Sequence, residues 1–111
     1  AVTLSTLSEK ISRTLLRKPM LVGDPDKSIQ KIAWCTGAAQ SYFEAAIQQG
    51  IDAFITGEIS EQTVHIARES GVAFIAAGHH ATERYGVQAL GDHIAQQFNI
   101  QHQFIDIENP V

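Results

Sequence analysis

Only one cysteine, Cys35, occurs in the chain, so no intrachain disulfide can brace the fold. Stability must then come from an apolar core. Cys35 sits in the run Ile32-Ala33-Trp34-Cys35, where a buried thiol acting as a small hydrophobe is expected. Nowhere do apolar residues run for the roughly 20 positions a membrane-spanning helix needs, and no secretory leader pattern is visible. The expected location is the cytoplasm. Basic residues are in deficit: eight Lys and Arg against twelve Asp and Glu leave a formal net charge of -4. That balance gives no electrostatic reason to bind nucleic acid or anionic lipid. Cations gather only at Arg13, Arg17 and Lys18, read as a solvated face that complements a helix C-terminus. Tandem repeats and low-complexity segments are also missing.

What is present describes one ordinary domain of 111 residues with a hydrophobic fraction of 44%. Leu4, Leu7, Ile11, Leu15 and Leu16 recur at helical spacing, which predicts an amphipathic helix over residues 5–17, ended by Pro19. A short extended run, 20–22, leads to the polar turn Gly23-Asp24-Pro25-Asp26. From there strand and helix alternate. Strands are expected at 31–35, 52–56 and 72–76, and helices at 41–49, 60–70 and 81–98. Gly50 and Gly71 close the first two helices and Ser60 caps the second. A last strand is expected at 102–107. Such alternation predicts an α/β fold with a largely parallel sheet. Ala53-Phe54-Ile55 and Ala73-Phe74-Ile75-Ala76-Ala77 are apolar at every position, as strands covered on both faces require.

Three of these strands end alike, in Thr36-Gly37, Thr56-Gly57-Glu58 and Gly78-His79-His80. In an open parallel sheet, ligands bind beyond the carboxyl ends of the strands. That rule aims Glu58, His79, His80 and Glu83 into one crevice. His79 stands at the strand exit and Glu83 four residues on, in the first turn of the following helix; if that helix starts near His79, the two share a face. One imidazole nitrogen and one carboxylate could then reach a single cation, and a mixed N/O set suits zinc, iron, manganese or nickel. The same spacing also arises from a carboxylate and an imidazole that merely suit a helix N-terminus. A catalytic metal usually has three protein ligands, so the pair is incomplete. His65 and His93 lie within helices and read as surface histidines. His102 opens the last strand with no partner in view. Glu58 and Glu61 suit a helix start, and Glu58 is expected to line the crevice rather than ligate. Thr36 to Ser41 could cradle an anion at a helix start, but has too few glycines for a phosphate loop.

Ala33-Trp34-Cys35-Thr36-Gly37, Asp52-Ala53-Phe54-Ile55-Thr56-Gly57-Glu58 and Gly78-His79-His80-Ala81-Thr82-Glu83-Arg84 resemble the C-terminal half of the YbgI-type proteins. These are the dinuclear-metal-centre, NGG-one-interacting-factor-three-like family, also described as type-2 GTP cyclohydrolase I homologues. The resemblance runs from about Arg17 to Ile107. It implies a two-part fold of which this chain is one half, and a toroidal hexamer whose full-length subunits each hold two divalent metal ions. The family motif of a histidine followed four residues later by a glutamate falls on His79 and Glu83, while His80 is not carried over as a ligand. The chain opens Ala1-Val2-Thr3 without methionine, and the family's N-terminal half, with its remaining metal ligands, is not in it. The chain is therefore expected to be the C-terminal part of a longer protein.

Three functions follow from these expectations. The first is metal-dependent hydrolysis of a nucleotide or related substrate, in which metals activate water and hold a developing oxyanion. The second is a non-catalytic metal-binding or interaction scaffold. The third is a module that mainly builds the oligomer interface.

Overall fold

A computed structural model describes residues 1–111. The chain forms β1 (Val2–Thr3), α1 (Leu4–Leu15), β2 (Met20–Val22), β3 (Ser28–Ile29), β4 (Ile32–Trp34), a 3-10 turn (Gln40–Tyr42) running into α2 (Phe43–Ile47), β5 (Ala53–Thr56), α3 (Glu61–Ser70), β6 (Ala73–Ala76) and α4 (His79–Phe98). The main sheet has the order β2-β6-β5-β4. β4 pairs with β5 and β5 with β6 in parallel, in register Ile32↔Ala53 and Ala53↔Ala73. β2 joins the far edge antiparallel, Met20 opposite Ala76. The sheet is thus α/β and mostly parallel, with one antiparallel edge strand.

Side chains alternate across a strand, and here both faces are covered. Phe54, Phe74 and Ala76 point to one side, where Phe43 of α2, Ala67 of α3, Ile51 and Val72 complete a buried cluster. Ala53, Ala73 and Ile75 point to the other, where Leu4 of α1 and Ile29 of β3 close a second cluster flanked by Leu7, Ile11 and Leu15. The heptad-like leucines of α1 therefore form its inner face. Thr3 caps that helix, its hydroxyl accepting from the Thr6 N–H at 3.2 Å. Asp52 organises the opposite ends of the strands: its carboxylate accepts from the backbone N–H of Lys31 at 2.8 Å and of Gln30 at 2.9 Å. Those two bonds hold its carboxyl below the ordinary carboxylate value.

Several boundaries depart from expectation. α1 stops at Leu15, before Pro19, because Leu16 turns left-handed (φ 55°) and its N–H bonds back to Ser12. The helix expected over 41–49 is a 3-10 turn followed by five α residues. Ser60 precedes α3, but its hydroxyl meets that of Thr63 at 2.9 Å instead of capping a backbone N–H. Arg17 is not fully solvated; it donates to Pro110 O at 2.7 Å. Cys35 is exposed, because it lies just past the C-terminal end of the edge strand β4. The strand expected over 102–107 does not form. A strand needs a ladder partner, and residues 100–111 pair with no strand; their side chains meet α4 instead, His102 at Asp92 and Asp106 at His80 and Arg84.

Candidate functional site

The site is built by continuing the sheet's ladder past its strand ends. Gly57 N–H donates to Gly37 O at 2.8 Å, Ala77 N–H to Thr56 O at 2.7 Å, and Gly78 N–H to Gly57 O at 2.9 Å. These bonds set Gly37, Gly57 and Gly78 side by side beyond the tips of β4, β5 and β6. Thr56, buried at the end of β5, fixes the first loop: its hydroxyl donates to Gly37 O at 3.1 Å and accepts from Ala39 N–H at 3.2 Å. The crowding is severe. A Cβ on Gly57 would lie 2.6 Å from His79 Cα and 2.8 Å from His79 N. Gly78 enters α4 with φ 105° and ψ 127°, a conformation open to glycine. α4 consequently begins at His79 itself, two residues earlier than expected.

His79 lies at the centre of the cluster. Its Nδ1 is 2.7 Å from Glu58 Oε1, which comes from the loop after β5, and its Nε2 is 3.0 Å from Glu83 Oε2, one turn along α4. The imidazole is thus flanked by two carboxylates. The hydrogen bond to Glu58, then the charges of Glu83 and Glu58, raise its pKa above the ordinary 6.5 against the opposing effect of burial. The expected result is that the metal-free ring titrates above 6.5, and that Glu58→Gln, which removes the largest cause, moves it down. NMR of the ring protons against pH reads this directly, and an unchanged midpoint would mean that Glu58 does not hold the ring. Because the folded ring holds its proton more tightly than the unfolded one, its contribution to stability is full below 6.5 and is lost as pH rises through the raised value.

The donor chemistry fits a cation at one edge of this cluster. With Nδ1 engaged by Glu58, Nε2 becomes the nitrogen free to ligate, a carboxylate–histidine arrangement common behind metal sites. An N–O separation of 3.0 Å suits two ligands each about 2.1 Å from one ion. Gly37 faces the pair. A Cβ there would fall 2.6 Å from Glu83 Oε1 and 3.3 Å from His79 Nε2, so its absence keeps the approach to both donors open. No third His, Cys, Asp or Glu converges with them on one point. Two donors, one nitrogen and one oxygen, are what this chain can offer.

The other candidates separate from this cluster. Glu58 stands behind the ring, as a group that orients His79. His80, next in sequence, points elsewhere: its Nε2 is 2.8 Å from Asp106 Oδ1. His102 has a partner that spacing did not reveal, Asp92 at 3.1 Å. His65 and His93 are exposed and join nothing here. No helix is long and apolar enough to cross a membrane.

Comparison with known proteins agrees with the fold and with the resemblance. The chain is 64% identical over 94 residues to the GTP cyclohydrolase 1 type 2 homolog of Pseudomonas aeruginosa, covering 85% of this chain and 37% of that protein. With the homolog of the same name from Allochromatium vinosum it shares 52% over 109 residues, covering 98% of this chain and 43% of that one. The chain therefore spans about two fifths of the length of the curated relatives it matches. A solved structure described as protein ybgI, of unknown function, superposes with a TM-score of 0.94 at 49% identity, over 99% of this chain and 45% of that one. Staphylococcus aureus protein SA1388 superposes with a TM-score of 0.83 at 26% identity, over 99% of this chain and 38% of that one. The profile of Duf34/NIF3 (NGG1p interacting factor 3) matches residues 1–110, and the chain belongs to that family.

Proposed function

We propose that His79 and Glu83 are the ligands this chain contributes to a dinuclear metal centre, completed in the whole protein by residues outside the chain. The observation that carries this reading is the juxtaposition of His79 Nε2 and Glu83 Oε2 at 3.0 Å, with the far ring nitrogen engaged by Glu58. The metals would be divalent, two to a full-length subunit, and zinc, iron, manganese or nickel suits the N/O donors. Bound there, metal ions would supply an activated water and positive charge for a developing oxyanion. The chain's own residues hold and orient: Glu58 fixes the ring, Thr56 and the three glycines place the loops, and α4 sets Glu83 at helical spacing from His79.

On this reading the whole protein is a metal-dependent hydrolase in a ring of six subunits, acting on a nucleotide or related substrate. Relatives named GTP cyclohydrolase 1 type 2 homolog make a nucleotide the first substrate class to test. The test is metal content per subunit of the whole protein, wild type beside Glu83→Ala. A fall from about two equivalents to one or fewer is expected, together with loss of any metal-dependent turnover of a nucleotide panel in His79→Ala. Unchanged content would remove Glu83 as a ligand.

A second reading, an interaction scaffold, is favoured by one feature. α4 buries only Ala81 and leaves Val87, Leu90 and Phe98 exposed, an apolar face suited to another subunit or partner. A scaffold would keep its partner after metal is stripped.

A further inference from the structure

On the flank of the candidate metal ligands, α4 presents polar groups that the site above does not use. Arg17, from the turn after α1, and His80 and Arg84, four apart on α4, line a cleft of about 490 Å³ together with residues of the segment 106–110. That segment brings two acidic residues to the cleft, Asp106 and Glu108, and Asp106 meets the cations directly. Asp106 Oδ1 lies 2.8 Å from His80 Nε2, and Asp106 Oδ2 lies 3.6 Å from Arg84 Nη1.

The two guanidiniums lining this cleft are poorly satisfied. The Arg84 side chain is only 16% exposed, yet 3.6 Å is too long for a hydrogen bond. Its other terminal nitrogen donates to Leu15 O. Arg17 spends Nη2 on Pro110 O at 2.7 Å, while its Nη1 is buried with no acceptor. An unpartnered buried donor is costly, and a guanidinium presents five donors that match oxyanions in pairs. Two half-used guanidiniums and an imidazole line a cleft whose only acidic groups, Asp106 and Glu108, both come from the segment 106–110, and once that segment lifts the three basic groups form a receptor for an anion richer in oxygens than Asp106.

The segment carrying Asp106 can leave without disturbing the sheet. Residues 100–111 contain no helix or strand. Polar contacts hold them down: His102 packs against Gly91 and meets Asp92, Asp106 meets His80, Pro110 O accepts from Arg17, and Val111 O accepts from His80 N–H at 3.1 Å. Ile105 and Ile107 remain exposed and Phe104 is half-buried, so one aromatic side chain is the main apolar surface surrendered when the segment lifts. Regions with few buried contacts open most easily.

We propose that Arg17, His80 and Arg84 form a binding site for a phosphate-type oxyanion, and that Asp106 occupies it as an internal substitute when residues 100–111 lie across it. The inference does not rest on the metal reading, since none of the three residues is a proposed metal ligand.

The test uses the whole protein carrying this chain, stripped of metal by chelation so that a phosphate on a metal ion cannot contribute. Binding of inorganic phosphate and of a nucleoside monophosphate is measured by calorimetry at fixed ionic strength. The two probes distinguish free phosphate from a phosphate ester. Asp106→Ala is expected to bind at least one probe about tenfold more tightly than wild type, because the competing carboxylate is gone. Adding Arg84→Gln or Arg17→Gln to Asp106→Ala should cancel the gain, with thermal melting confirming that the double variants are folded. Asp106→Ala keeps the test open whatever the arginine variants do, because Asp106 touches only the cleft. No tightening for either probe overturns the proposal. So does a gain that survives in a folded arginine variant, because the anion would then be bound elsewhere.

Discussion

Phe74→Ala should destabilise the fold by about 3–5 kcal/mol, a large part of the roughly 5–15 kcal/mol that holds a domain together. Phe74 is fully buried on β6, an inner strand between β2 and β5. Its ring meets Phe43 edge-on with centroids 4.9 Å apart, and Phe54 at 5.7 Å with a tilted geometry. Phe43 and Phe54 also stack on each other at 5.7 Å, so the three rings form one closed set. Such pairs add about 0.5–1.5 kcal/mol each beyond their buried area. Backbone hydrogen bonds on both sides hold β6 in place and prevent the sheet from collapsing into the space left. The melting temperature is expected to drop by about 10–25 °C, read by circular dichroism alongside urea unfolding. Phe74→Leu, which keeps most of the volume, should lose far less. Equal losses for both substitutions would show that packing of the three rings does not set stability.

The same residues explain why much of the architecture could be read from sequence. Ala53–Thr56 and Ala73–Ala76 are short apolar runs next to Gly and Asp, and burial on both faces leaves that pattern with little alternative. β1 and β3 were invisible because two residues carry no periodicity. The antiparallel direction of β2 was equally hidden, since a three-residue run says nothing about its neighbour's polarity. Residues 102–107 show the opposite failure. Phe104, Ile105 and Ile107 suit a strand, but propensity cannot supply a pairing edge. At the site, the pairing of His79 with Glu83 was legible because α-helical spacing brings them together, while their role as metal ligands was expected from the family resemblance and not from spacing. The bond from His79 to Glu58 spans 21 residues and depends on the ladder linking β5 to β6. Reading the helix start at Ala81 instead of His79 followed from the missing side-chain cap: Gly78 opens α4 through its backbone, and Thr82 Oγ1 bonds back to Gly78 O at 2.8 Å.

Gly57→Ala tests the link between fold and site most sharply. The added methyl would meet Gly37 O, His79 Cα and His79 N, the last two at 2.6 and 2.8 Å. All three are backbone atoms, so no flexible side chain can swing aside. Overpacking usually costs about 1–3 kcal/mol, and the upper end is expected here. Relief requires the loop carrying Gly37 or the start of α4 to move. Either movement shifts His79 from Glu58, or Gly37 from the His79–Glu83 pair. On the proposed metal reading, the substitution should therefore lower metal content in the whole protein as well as stability, although Gly57 bears no ligand atom. Gly50→Ala is the control, because it has a positive φ of 69° and nothing within 4 Å of its added carbon. It should lose stability through backbone strain, by about 1 kcal/mol, and leave metal content unchanged. A Gly57→Ala protein with intact metal content would mean that the three-glycine ledge does not position His79. A selective loss would show that the close approach of β4, β5 and β6 beyond their ends is what turns a common helical His–Glu spacing into a site.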